Sequence, residues 1–407
     1  MRIVLLHYSA LPVVGGVETV LGHHARLMAD AGHQVRVVAG RGDQVDERVP
    51  FIQIPLADSR HPDVLAVKSE LDQGRIPDAF PRLVDELTNQ LTKHIAHVDW
   101  LIAHNVCSLN KNLILTAALR RISESSSQPR LILWHHDFAW LTPRYRDELH
   151  DGYPWDLLRS DWQDAIQVVV SEFRKVELAN LINVPAARIH VVPNGIDIER
   201  FLKTEDKTRA LLAKMNLMDS LPLLLLPVRI TPRKNIELAL RTLKVLKEKY
   251  LKAKLVVTGP LGTHNPSNVH YFETLIDLRQ ELNLEGSAYF LAEFSDEFLP
   301  DEVVSDFYQL ADALFFPSRE EGFGLPILEA ALAKLPIFCA DIAPFRELAD
   351  GYTDFSPLDA EPEYIMELII KRLESNLIYK FQTRVRSEYA WPRIYSEKIE
   401  PLLSIKG

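Results

Sequence analysis

Short, almost wholly apolar runs alternate with helical periodicity along nearly the entire chain, and they do so in two series. Ile3–Leu6, Val35–Ala39, Trp100–Ala103, Leu131–Trp134 and Val168–Val170 make the first series. Leu223–Pro227, Lys254–Val257, Ala288–Leu291, Ala313–Phe316 and Ile337–Ala340 make the second. Strands this uniformly apolar are buried on both faces, so helices must cover a parallel sheet from both sides. The intervening stretches supply those helices. Val17, Val20, Leu21, Leu27 and Met28 repeat at helical spacing before Gly32, a natural stop, and Leu83, Leu87 and Leu91 recur every fourth residue after Pro81. Between the series lie the turn-rich segments Asn183–Ala187 and Pro193–Asp197, followed by a polar helical stretch over Lys203–Lys214. The pattern predicts two doubly wound α/β domains, 1–190 and 191–389, and a mostly helical tail from Pro362. Trp391-Pro392 is expected to interrupt that tail before a last helix over Arg393–Leu403.

Charge and cysteine usage narrow the function classes. The 407 residues carry 46 Lys plus Arg against 56 Asp plus Glu, a net charge of −10, which argues against binding nucleic acid through bulk positive charge. Cys107 and Cys339 stand alone, without the spacing of a zinc ribbon or a disulfide framework, and point to a reducing, cytoplasmic setting. No window approaches the ~20 apolar residues of a membrane span. The N-terminal run from Arg2 to Leu6 leads straight into glycines and a helical pattern, so it is expected to be a buried first strand rather than a leader peptide. The serine run Ser125–Ser127 is expected to be a loop.

Only 16 glycines occur, so their clusters call for a reason. Gly15-Gly16-Val17-Glu18 lies between the first strand and first helix, where glycine lets backbone approach a bulky anion and the helix start offers free N–H groups. Many such turns carry glycine for geometry alone, and neither a Walker loop nor a GxGxxG fingerprint is present. Arg229 and Lys234 follow the first strand of the second series, where α/β sheets place ligands, and together suit two adjacent phosphates. Arg233 beside them equally fits a solvated basic loop. The most specific segment is Glu320–Glu329, in which Glu321 and Glu329 flank Gly322-Phe323-Gly324. That spacing places one carboxylate in a loop and the other early in a helix, an arrangement suited to vicinal hydroxyls.

Glu321–Glu329 resembles the E-x7-E signature of retaining GT-B glycosyltransferases of family four, the group 1 glycosyl transferases. Gly15–Glu18, Pro193–Asp197, Arg229 with Lys234, Val257-Thr258-Gly259 and Pro317-Ser318 agree with it in order and spacing. The resemblance implies a GT-B fold of two Rossmann-like domains facing a cleft, with a C-terminal helix of about 390–407 crossing back to the first, acceptor-side domain. It implies that Glu321 holds hydroxyls of the transferred hexose and Glu329 the nucleotide ribose. Arg229 and Lys234 would neutralise the diphosphate, approached also by the Gly16 amide within the Gly15-Gly16 turn. Gly259 and the backbone of Phe323, Gly324 and Leu325 would complete the donor site. A histidine lining the sugar site best matches His136 of Trp134-His135-His136-Asp137, although His135 stands beside it; His104, His135 and Asp137 are acceptor-side candidates.

The implied reaction moves a hexose from a nucleotide-diphosphate sugar, of UDP-glucose or GDP-mannose type, to a hydroxyl acceptor with retention of configuration. Fixed cations and N–H donors aimed at the departing diphosphate would do the work of a metal. No resident cofactor and no metal site are expected, and the glutamates are not assigned as glycosidase-like nucleophiles. The acceptor would lie against the first-domain loops Arg41–Glu47, Asp58–Lys68 and Phe138–Trp155, and a small soluble glycoside or sugar acid is preferred over a lipid-linked or polysaccharide acceptor. A nucleotide-sugar epimerase and a non-catalytic sugar-nucleotide binder are the alternatives, and a homo-oligomer is compatible with each.

Overall fold

A computed structural model describes residues 1–125, 129–261, 266–294 and 299–405. The chain divides into two units, Met1–Ile196 with Tyr389–Gly407, and Asp197–Glu388. In the first, strands β1 (Arg2–Ser9), β2 (Gln34–Arg41), β3 (Phe51–Gln53), β4 (Trp100–His104), β5 (Arg130–His135), β6 (Ala165–Val169) and β7 (Ile189–Val191) form one sheet in the order β3-β2-β1-β4-β5-β6-β7. Every neighbouring pair is parallel. In the second, β8 (Leu223–Leu226), β9 (Lys254–Val257), β10 (Ala288–Phe290), β11 (Ala313–Phe316), β12 (Ile337–Ala340) and β13 (Asp354–Ser356) run β10-β9-β8-β11-β12-β13, again all parallel.

The apolar runs are strands because both of their faces are covered. Along β1, Val4, Leu6 and Tyr8 join one core and Ile3 and Leu5 the other, so successive side chains feed opposite layers and none faces water. The helix Gly16–Asp30 packs on the Ile3–Leu5 side, while the helices Ala79–Ile95 and Leu113–Ser125 pack on the other. Gly32, at φ +81°, sends its N–H back to the Ala29 carbonyl and closes the first helix as the sequence suggests. In the second unit β8, β9, β11 and β12 are buried along nearly their whole length in a single core.

Four local expectations need correcting. The polar helix runs Asp206–Met215, because Lys203 adopts a left-handed conformation and ends the short helix Ile198–Leu202. Trp391-Pro392 does not interrupt the tail: the break falls at Tyr389-Ala390, and Pro392 sits in the first turn of the helix Trp391–Ile394, where its missing N–H is harmless. Helical turns then continue to Leu403, through the π-helical segment Tyr395–Ile399. Ser125 ends a helix rather than lying in a loop, while Ser126 and Ser127 lie outside the described residues. The first unit extends past 190 to Ile196, since Ile196 bridges to Ala390 and its N–H bonds the Tyr389 carbonyl at 2.8 Å.

That bridge seats the tail. Trp391 is fully buried, stacked on His23 at 5.1 Å and edge-on to His24 at 5.3 Å. Gly195 lies against its indole so closely that a Cβ there would come within 2.6 Å of Trp391 Cδ2. The indole Nε1 of Trp100 in β4 also donates to the Leu403 carbonyl at 3.1 Å. Among the described residues no helix is long and apolar enough to cross a membrane.

Candidate active site

In the second unit the strand order reverses between β8 and β11, and the loops leaving the carboxyl ends of these two strands carry the charged motifs. Lys234 ends the turn Pro232–Lys234 after β8, and Glu321 lies in the loop after β11. The Lys234 ammonium donates to Glu321 Oε1, with both side chains about nine-tenths buried. The ammonium also lies 5.6 Å over the Phe316 ring. Backbone sews the two loops together: the Arg319 N–H donates to the Arg233 carbonyl at 2.8 Å. Two groups expected to face a ligand therefore face each other. Arg229, five residues before Lys234, is exposed.

The glycines here have steric reasons. A Cβ on Gly259 would lie 1.8 Å from the Val228 carbonyl oxygen, so the loop after β9 can press on the loop after β8 only as glycine. Gly324 has φ +107° and a Cβ there would approach the Phe345 ring to 2.9 Å; it is the residue from which the helix Leu325–Leu332 starts. Phe323 and Leu325 on either side are exposed. Glu329 is on that helix, and its Oε2 accepts the Tyr308 hydroxyl at 2.5 Å. Tyr308, on the helix Asp301–Leu310, is buried beside that carboxylate, and burial together with Glu329 holds its phenol strongly protonated.

In the first unit a Cβ on Gly15 would fall 2.0 Å from Glu18 Oε2, the end of a flexible side chain, and Gly16 beside it borders open space. Glu18 Oε1 accepts the Ser9 hydroxyl at 2.6 Å and stands 3.9 Å from His7 Nε2. His7 Nδ1 meets the His104 carbonyl oxygen at 2.7 Å. Glu18 closes the Gly15–Glu18 motif, whereas His7 and Ser9 had no motif to mark them; their signal is position, at the carboxyl end of β1.

The Trp134–Asp137 histidines separate by role. His135 turns inward, its Nε2 at 2.8 Å from Gln167 Oε1 on β6. His136 is buried and is held by Asn105, whose Oδ1 accepts the N–H groups of His136 at 2.9 Å and Asp137 at 3.1 Å. Asn105 itself takes φ +60°, which its short polar side chain tolerates. Asp137 accepts from Arg174 at 3.0 Å. His104 corrects an expectation. It is wholly buried between Trp134, His24 and His136, with ring centroids at 5.4, 5.1 and 5.9 Å, so it is not placed to touch an acceptor.

Burial keeps these imidazoles neutral. It pushes His24 and His136 down to about 3 and His7 and His135 down to about 4, and holds His104 well below its ordinary value. In the unfolded chain each would take a proton near pH 6.5. The unfolded state therefore binds more protons between roughly pH 6.5 and 4, and stability falls as pH drops through that window. Melting of the first unit is expected to be level above pH 7 and to shift to lower temperature steadily from pH 6.5 to 4.5. A flat profile by calorimetry would show these rings to be solvated.

Two family models match the chain in succession: Glycosyltransferase Family 4 over residues 14–200 and Glycosyl transferases group 1 over residues 209–387. The chain belongs to the family 4, group 1 glycosyltransferases. Its two Rossmann-like units are those of the GT-B class, and membership does not favour the epimerase alternative. The enzyme is similar to mannosylglucosylglycerate synthase of Petrotoga mobilis, 25% identical over 386 residues, covering 89% of this chain and 86% of the relative. It is also similar to the enzyme of that name from Thermotoga maritima, 24% identical over 365 residues and covering 85% and 82%. A lipopolysaccharide 1,2-N-acetylglucosaminetransferase of Salmonella typhimurium is 25% identical over 284 residues, covering 68% of this chain and 67% of that one. In this glycosyltransferase two further residues that the motifs do not mark, Tyr308 and Asn105, each contact a group that they do name, the Glu329 carboxylate and the His136 backbone.

Proposed function

We propose that this glycosyltransferase moves a hexose from a nucleotide-diphosphate sugar to a hydroxyl of a small soluble glycoside or sugar acid, with retention of configuration and without a metal. The observation that carries the reading is the contact of Lys234 with Glu321 at the β8–β11 crevice. A sugar diphosphate presents anionic oxygens and hydroxyl donors a few ångströms apart. It can exchange one internal ion pair for a phosphate on the ammonium and hydroxyls on the carboxylate. Arg229 adds a second cation to the leaving diphosphate, and the backbone of Phe323, Gly324 and Leu325 adds N–H donors. Glu329, oriented by Tyr308, takes the ribose hydroxyls. Two relatives named mannosylglucosylglycerate synthases favour a small acidic acceptor.

As charge builds on the departing diphosphate, fixed cations stabilise it without reorganisation, and its oxygen is free to take the acceptor proton. Incubation with labelled UDP-glucose and GDP-mannose and a panel of glycosides and sugar acids is expected to yield an α-linked product at a rate indifferent to EDTA. A β-linked product or loss of activity on chelation would overturn the reading.

Tyr308→Phe removes the hydroxyl that orients Glu329 and nothing that touches the reacting atoms. Its expected effect is about a fivefold rise in donor KM, about 1 kcal/mol of lost orientation, with kcat nearly unchanged. A fall in kcat at constant KM would place Glu329 in the chemistry instead.

A further inference from the structure

From Leu101 to Leu119 the chain is buried at every position except Lys111, which is exposed. Its neighbours hold it there. Asn112, 1% exposed, donates to the Leu56 and Ala57 carbonyls at 2.9 and 3.3 Å and accepts the Leu115 N–H at 3.1 Å. Asn110, equally buried, donates to Asp72 and Glu148 oxygens at 3.2 Å. The loop thus fixes the root of the lysine and leaves only its flexible stem in water. Its ammonium lies 5.9 Å over the ring of Tyr8, whose hydroxyl points at the Asn105 and Leu109 carbonyls. Among the described residues no carboxylate pairs with it.

The place matters as much as the charge. In the first sheet the strand order reverses between β1 and β4, and the helices that follow these strands pack on opposite faces. Ligands of open parallel sheets bind in the crevice that such a reversal opens at the carboxyl ends of the strands. Here that crevice has Lys111 and Tyr8 on one side and His7 and Glu18 on the other, the His7 and Tyr8 rings being 4.9 Å apart. Glu18 and a neutral His7 accept hydrogen bonds, whereas Lys111 only donates.

We propose that Lys111 selects an acceptor bearing a carboxylate, held in the β1–β4 crevice with its hydroxyls toward Glu18 and His7. The proposal rests on the transferase reading above and names the acceptor class for it. One ammonium without an arginine fork matches a monoanion, and the nearby Glu18 carboxylate opposes the second charge of a phosphate monoester.

The test compares a glycosylglycerate with the glycosylglycerol that lacks only its carboxylate, and with a sugar phosphate, in the wild type, K111M and K111R. The wild type is expected to favour the glycosylglycerate, and K111M to raise KM for it about tenfold and erase the preference, with K111R retaining most of it. Acceptor-free donor hydrolysis reports the donor site separately. Hydrolysis with no transfer to the carboxylate acceptor, a preference for the sugar phosphate, or a preference that survives K111M overturns the proposal and leaves the donor reading standing. Absence of any donor turnover overturns both.

Discussion

Replacing Lys234 with alanine is expected to lower kcat about 10²–10³-fold, the loss seen when one fixed donor is removed from a developing charge. The variant also leaves Glu321 without its partner in a site nine-tenths buried, which by itself destabilises the fold. The two consequences come apart in the double variant. Lys234→Ala with Glu321→Ala has no stranded carboxylate, so its melting temperature is expected to recover toward the wild type while turnover stays low. A double variant that regained turnover along with stability would show the pair to be a structural bridge only. Measuring nucleotide binding alongside separates a lost leaving-group contact from a lost ground-state contact, since only the former leaves affinity largely intact.

Trp391→Ala carries the largest expected effect on stability. The indole is fully buried against Gly195, His23 and His24, so its removal is expected to cost about 3–5 kcal/mol. For a unit of this size that is a fall in Tm on the order of 10 °C. Calorimetry should show one transition moving, that of the unit containing β1–β7, while the Asp197–Glu388 transition stays in place. A shift of both together would mean the tail supports the whole chain rather than one unit.

Long apolar strands and the charged motifs were legible because each has a local cause. β1, β4, β5 and β8 are buried on both faces and so are written as unbroken apolar runs. β3, β7 and β13 were missed: each has three residues, lies at the edge of its sheet and is only partly buried, so no run marks it. Glu321, Lys234 and Gly324 could be named from spacing. What spacing could not show is what they touch. That the Glu18 carboxylate folds back against Gly15, or that Asn105 holds the His136 backbone, depends on contacts between residues distant in sequence or on a side chain folding back. His104 misled because the end of a strand is usually where a side chain emerges, and here three aromatic rings close over it.

The return of the last segment to the first unit has a bearing on biosynthesis. A chain emerging from the ribosome can complete the Asp197–Glu388 unit in one uninterrupted stretch, yet the layer beneath Trp100 and Gly195 waits for the segment made after that unit. Until Trp391 arrives, the first unit has an apolar flank open to chaperones and proteases. Nascent chains stalled short of that residue are expected to be degraded through the unfinished first unit rather than through the completed second one.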